Sequence, residues 1–222
     1  MKRREFVVSS SLGLMALATN AIGQDKKQYV CPPCGCPHDG EVHAEPGNCP
    51  ACNMALVEKT PAMDELTAIP NFLKLTDKVW TGGQPTMAHL AKLKAEGAKV
   101  IINLRPPSEH GGEREAAKAK ELGISYFNIP IVFREPQPED ADDFLKLTDE
   151  QMNNGPVFIH CAAAIRVGAF WMIRRVLRDG WEFDKALEEA NKIGLRNNAN
   201  LIEFAKGYIE KNKKNKSQRE KS

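Results

Sequence analysis

The segment His160-Cys161-Ala162-Ala163-Ala164-Ile165-Arg166-Val167-Gly168 sets a thiol and a guanidinium five positions apart, directly after the apolar run Val157-Phe158-Ile159. A strand ending at His160 and a helix beginning near Ile165 leave Cys161 in a strand-to-helix loop. The backbone amides of Ala162, Ala163, Ala164 and Ile165 can then turn toward one centre, where the helix N-terminus adds partial positive charge. Such a nest holds an oxyanion and favours a thiolate over a thiol. Arg166 adds a full charge and a two-pronged donor for phosphate-like oxygens. The alanines keep side chains away from the backbone. The pattern predicts a nucleophilic Cys161 in an anion cradle, with Arg166 as clamp.

The other five cysteines lie within residues 31–52. Cys31 and Cys34 form one C-x-x-C pair, Cys49 and Cys52 another, with fourteen residues between the pairs. Two such knuckles bring four thiolates to one tetrahedral point, which suits zinc or another heavy metal. Cys36 is a fifth thiol able to replace Cys34, and His38 and His43 are further possible ligands, otherwise loop residues. Disulfides are the alternative, although five cysteines cannot all pair among themselves.

These groups need elements to place them. From Val79 onward, strand and helix patterns alternate. Val79-Trp80 opens a strand that Gly82-Gly83-Gln84-Pro85 turns. Thr86 caps a helix with Met87, Leu90 and Leu93 on one face. Val100 to Leu104 reads as a strand buried on both faces, residues 112–122 as a helix, and Tyr126 to Pro130 as a strand. Residues 138–153 form a helix with an acidic first turn, and Val157 to Ile159 a strand. A helix from about Ile165 to Gly180 and two more complete the series. Leu201, Phe204, Ala205, Tyr208 and Ile209 form one face of the last. The alternation predicts an α/β three-layer sandwich with a mostly parallel sheet over residues 76–210, plus a small metal-binding module over 29–57. Ligands of such sheets bind beyond the carboxyl ends of the strands, where Cys161 sits. Residues 58–75 read as a linker and 211–222 as a basic disordered tail. His89 and His110 read as surface residues, and Trp171 and Trp181 as core.

Residues 1–23 combine a basic head, a short apolar run and a small-x-small site at Ala21–Gly23, the pattern of a signal peptide. Arg3-Arg4 resembles the bacterial twin-arginine export signal, which implies an exported, periplasmic protein. The apolar run is too short for a stable membrane span. The chain has 31 basic and 29 acidic residues; the first 23 hold three and one of these, leaving 28 of each. A neutral remainder gives no basis for nucleic acid as partner.

Two resemblances sharpen this reading. Tyr29-x-Cys31-Pro32 and Pro46-Gly47-x-Cys49-Pro50-x-Cys52-x-Met54-x-Leu56 resemble the heavy-metal-binding domain found beside bacterial metal transporters and copper-handling proteins. Asn53 stands where that family usually has glycine. Met54 would suit a soft ion, or else packs in the tiny core.

Gly82-Gly83-Gln84-Pro85, Val100 to Arg105, Ile129-Pro130 and His160-Cys161…Arg166-Val167-Gly168 resemble the dual-specificity branch of the cysteine-dependent protein tyrosine phosphatases. The likeness spans 79–195 and is strongest to a bacterial group with a shortened loop. It implies a cofactor-free hydrolase of a phosphorylated small molecule or protein, with a phosphocysteine at Cys161 and the phosphoryl group clamped by Arg166. Four residues separate Cys161 from Arg166 where five are usual. Ala164 replaces a usual glycine, and Val167 replaces a usual hydroxyl residue. The general acid is not evident, with Glu135 and Asp140 the nearest candidates. Rhodanese-type sulfurtransferases share the four-residue spacing and need no acid, so sulfur transfer at Cys161 is an alternative. A metal-binding or sensing protein with an inactive second domain is another. His160 is expected to orient the loop, and Arg105 with Glu109 to form an ion pair or line the pocket.

Overall fold

The computed structural model describes residues 27–32, 36, 38, 40–109 and 112–219. The signal expected over 1–23, and the expectations for Cys34 and His110, lie outside the described residues. No helix among the described residues is long and apolar enough to cross a membrane.

The N-terminal unit is a three-stranded antiparallel sheet of very short strands. β1 (Tyr29–Val30) lies between β2 (Val42–His43) and β3 (Val57–Glu58). So little sheet buries almost no apolar surface, and Cys31 and Cys49 are among its few fully buried side chains.

The larger unit is built on a five-stranded sheet. Its strands are β4 (Leu73–Thr76), β5 (Val79–Gly82), β6 (Val100–Asn103), β7 (Ser125–Asn128) and β8 (Val157–His160), in the order β4-β5-β8-β6-β7. All pairs are parallel except β4 with β5. The central strands β5, β8 and β6 are buried along their whole length. Alternate residues therefore feed two cores. Val79, Val100, Ile102, Val157 and Ile159 enter the larger one, whereas Trp80, Ile101 and Phe158 enter the smaller. Helices α1 (Met87–Ala95) and α2 (Gly112–Glu121) cover the smaller core. Helices α3 (Pro138–Gln151), α4 (Ile165–Leu177), α5 (Phe183–Ile193) and α6 (Ala199–Arg219) cover the larger. This is the expected three-layer α/β sandwich, and Trp171 lies in its core. Trp181 is only partly buried, stacked beneath Arg175 and Lys185.

Two stretches depart from expectation. Residues 58–75 are not a loose linker. They hold two 3-10 turns and most of β4, with Leu66 and Ile69 buried in the smaller core. The apolar alternation of Leu73 and Leu75 is a half-buried edge strand's period of two. Residues 211–219 continue α6 rather than forming a disordered tail. Lysine, glutamine and arginine are good helix formers, and extending an existing helix needs no new nucleus.

Candidate functional site

Cys161 follows the last residue of β8 and is buried, and α4 begins four residues later. The intervening loop is tied down from outside. Ala162 O accepts from the Gln84 amide at 3.1 Å, and Ala163 O accepts from Asn71 Nδ2 at 3.0 Å. With its carbonyls taken by neighbours, the loop can turn amides toward the space over Cys161. Gly83 makes this grip possible. A side-chain carbon there would sit 2.7 Å from Ala162 O, so only glycine allows the approach. Ala164, at the N-cap of α4, has φ 62° and is fully buried. This left-handed conformation explains why glycine is usual there, and an alanine in it stores about 1 kcal/mol of strain.

Arg166 is buried within the first turn of α4. Its Nη1 and Nη2 donate to both Glu109 carboxylate oxygens, at 2.8 and 2.6 Å, and Nη1 also donates to Ile131 O at 2.8 Å. Phe133 lies beside the guanidinium. Nε is buried and has no hydrogen-bond partner among the described residues. Burial opposes the Arg166 charge, but bonding to Glu109 and attraction to Cys161 outweigh it and raise its pKa. Burial alone would raise the Glu109 carboxyl. The bonds and charge of Arg166, reinforced by Arg105, hold it below the ordinary carboxylate range.

Behind the loop runs a buried polar chain. His160 Nε2 meets Glu115 Oε1 at 2.7 Å, and Gln84 Nε2 donates to Glu115 Oε2 at 2.8 Å. Arg105 Nη1 donates to Gln84 Oε1 at 2.8 Å, and Arg105 Nη2 to Glu109 O at 2.6 Å. Glu109 then holds Arg166. The chain thus connects the residue before Cys161 to the arginine after it, through the Gly-Gly-Gln-Pro turn and the end of β6. His160 is anchored here as expected, and Arg105 and Glu109 form the expected ion pair. Sequence reasoning missed Glu115, because in the run Glu113-Arg114-Glu115 nothing marks one of two solvent-type carboxylates as buried.

The two proposed acids lie before and at the start of α3. Glu135 is exposed in the turn before α3. Asp140 Oδ2 accepts from the Gln137 amide at 2.8 Å, closing a capping box at the start of α3. Burial raises the Asp140 carboxyl, the Gln137 amide opposes this, and Asp143 and Glu139 add to the rise. Among the described residues, neither carboxylate hydrogen-bonds to the Cys161 loop. His89 corrects the surface expectation. It is fully buried, its Nδ1 accepts from the Thr86 amide, and its Nε2 lies 2.7 Å from Met63 O. It sits three residues after the cap, where its ring replaces the usual glutamate of a capping box.

In the small unit, Cys31, Cys36, Cys49 and Cys52 present sulfurs all within 4.8 Å of one another. Observed S···S separations of 3.5, 3.8 and 3.9 Å match four sulfurs at about 2.3 Å from one tetrahedral ion, which lie about 3.8 Å apart. They are far longer than a disulfide bond. The donor set therefore fits a thiophilic metal. Cys36, the expected alternative to Cys34, joins the group, Cys34 lies outside the described residues, and His38 stays outside the group, against Glu41. Asn53 has φ 60°, as expected where glycine is usual. Met54 is too exposed to be a packing residue.

Known proteins agree with this architecture. The family model described as DSP-PTPase phosphatase fused to NAD+ kinase matches residues 51–204. The heavy metal binding domain model matches residues 28–59. A beta-lactamase hydrolase-like protein of Agrobacterium fabrum (strain C58 / ATCC 33970) is 30% identical over 111 residues, 47% of this chain and 25% of that protein. The chain spans about a quarter of the length of the curated relatives it matches. A DUF442 protein of Shewanella putrefaciens CN-32 superposes with a TM-score of 0.54 at 21% identity, covering 68% of this chain and 94% of that one. P. aeruginosa TpbA superposes with a TM-score of 0.53 at 19% identity, covering 65% and 85%. These two likenesses show the fold. Because the first family model covers well over half of the residues, the chain belongs to the DSP-PTPase phosphatase family described as fused to NAD+ kinase, and it carries a heavy metal binding domain at its N-terminal side.

Proposed function

We propose that the protein is a phosphoric monoester hydrolase that works through Cys161. The observation that carries this reading is a buried arginine beside a buried cysteine, with one guanidinium edge locked by Glu109 and Nε left to bind an oxyanion. Arg166 and the loop amides orient the phosphoryl group and take up its charge. The Cys161 thiolate attacks phosphorus, an S–P bond forms and the ester P–O bond breaks. A carboxylic acid, Asp140 or Glu135, protonates the departing oxygen. Water then cleaves the S–P bond and releases phosphate and the thiolate. Substrates are phosphorylated small molecules or proteins, and the protein is exported to the periplasm. Zinc fits the four thiols and, when bound, supplies a crosslink between chain segments rather than a catalytic step.

The test is hydrolysis of an aryl phosphate between pH 5 and 8 by the wild type and by Cys161→Ser. Turnover lost in the variant supports the reading. No difference between the two refutes it.

A further inference from the structure

The two units meet around a cavity. Val30, Cys31 and Gly40 of the thiol unit and Met63, Thr86 and Ala88 of the larger unit wall a cavity of about 250 Å³. At its edge the contact closes, since a side-chain carbon built on Gly40 would lie 3.0 Å from Thr86 Cβ. Thr86 is the cap of α1 and the end of the segment Gly83–Thr86. The other end of that segment grips the Cys161 loop, through the Gln84 amide on Ala162 O and the bridge between Gly83 and Ala163. Gln84 also carries the chain from Glu115 to Arg105. Cys31, itself one of the four clustered thiols, is thus one wall of a cavity whose opposite wall leads within four residues to the anion cradle.

We propose that metal occupancy of the four-thiol cluster sets the oxyanion affinity of the Cys161 loop, with Gly83–Thr86 as the connecting segment. The proposal rests on the cradle reading given above. Three two-residue strands bury too little apolar surface to hold the thiol unit together. Order there depends on the crosslink through Cys31, Cys36, Cys49 and Cys52. Without it, Gly40 and Cys31 no longer brace Thr86, and Gly83–Gln84 hold the loop carbonyls less firmly. Amides that must first be ordered bind an anion more weakly.

The experiment measures binding of tungstate, an unreactive oxyanion, by calorimetry with the full chain. Zinc-loaded protein, chelator-stripped protein and zinc-loaded Ala88→Glu are compared. Ala88 lies in the first turn of α1, where an acidic residue suits the helix dipole, so the variant pushes charge into the cavity wall while replacing no residue of either site. Gly40→Ala, adding one methyl against Thr86 and straining the backbone at φ 75°, is a second variant. The expected result is tungstate binding about tenfold weaker in the stripped protein and in both variants, which keep their zinc by elemental analysis. Equal affinity in all forms overturns the coupling and leaves the cradle standing. A loss on stripping that neither variant reproduces overturns the route through Gly83–Thr86, and with it the proposal. Tungstate binding to none of the forms overturns the cradle reading and the proposal together.

Discussion

Ala164 holds a left-handed backbone at the N-cap of α4, a position that a residue with a Cβ adopts only under strain. Ala164→Gly should stabilise the protein by about 0.5–1 kcal/mol, read as a higher Tm; an unchanged or lower Tm would contradict the strain. Glu109 acts through Arg166, holding the guanidinium by two oxygens. Glu109→Gln keeps the shape but loses the charge and one acceptor. It should lower kcat/KM on an aryl phosphate by about ten- to a hundredfold, with KM rising because the clamp that binds the phosphoryl group is misplaced. A kcat loss at constant KM would assign Glu109 another role. Cys161 and Arg166 were legible as a pair from type and spacing alone. Glu109 was half legible, because its partner Arg105 lies four residues away whereas Arg166 lies far along the chain.

At the scale of elements, strand-to-helix alternation disclosed the sheet and most helices, since β6 and β8 each carry three apolar residues in a row and β5 opens on two. β4 was illegible because a four-residue edge strand with two inward leucines resembles a polar connection. The start of α1 shows how a local motif hides a tertiary contact. Thr86 read correctly as a cap, but nothing local says that His89 completes the box and reaches Met63 O. Burial pushes the His89 pKa down, so its neutral form is the folded one. Below about pH 6.5 the unfolded chain binds the proton more readily, so stability is complete above that pH and falls as the solution is acidified toward the folded-state pKa. Thermal unfolding should show Tm falling from pH 7.5 to 5 in the wild type, with a shallower fall in His89→Gln. Parallel profiles would remove His89 as the cause.

For the whole molecule, two units of different stabilising chemistry meet at a cavity between Cys31 and Thr86. The larger carries two apolar cores on the faces of one sheet, and the smaller carries a thiol cluster. Cysteine spacing revealed this division at once. That Cys36 converges with Cys31, Cys49 and Cys52 was open in the sequence, since Cys34 and Cys36 are two residues apart and spacing alone does not separate their roles. Nor does sequence show that the thiol unit rests on the turn gripping the Cys161 loop, because Gly40 and Thr86 carry no motif relating them. The central claim is that this loop turns an oxyanion site into a covalent one. Val167 offers no hydroxyl to help the thiolate leave, so the S–P bond should persist. Acid quenching of an aryl phosphate reaction on the millisecond scale, followed by peptide mass spectrometry, tests this directly. The expected result is a phosphoryl group on Cys161 in a large fraction of the protein. Turnover with no phosphoryl group on Cys161 at any quench time would contradict it.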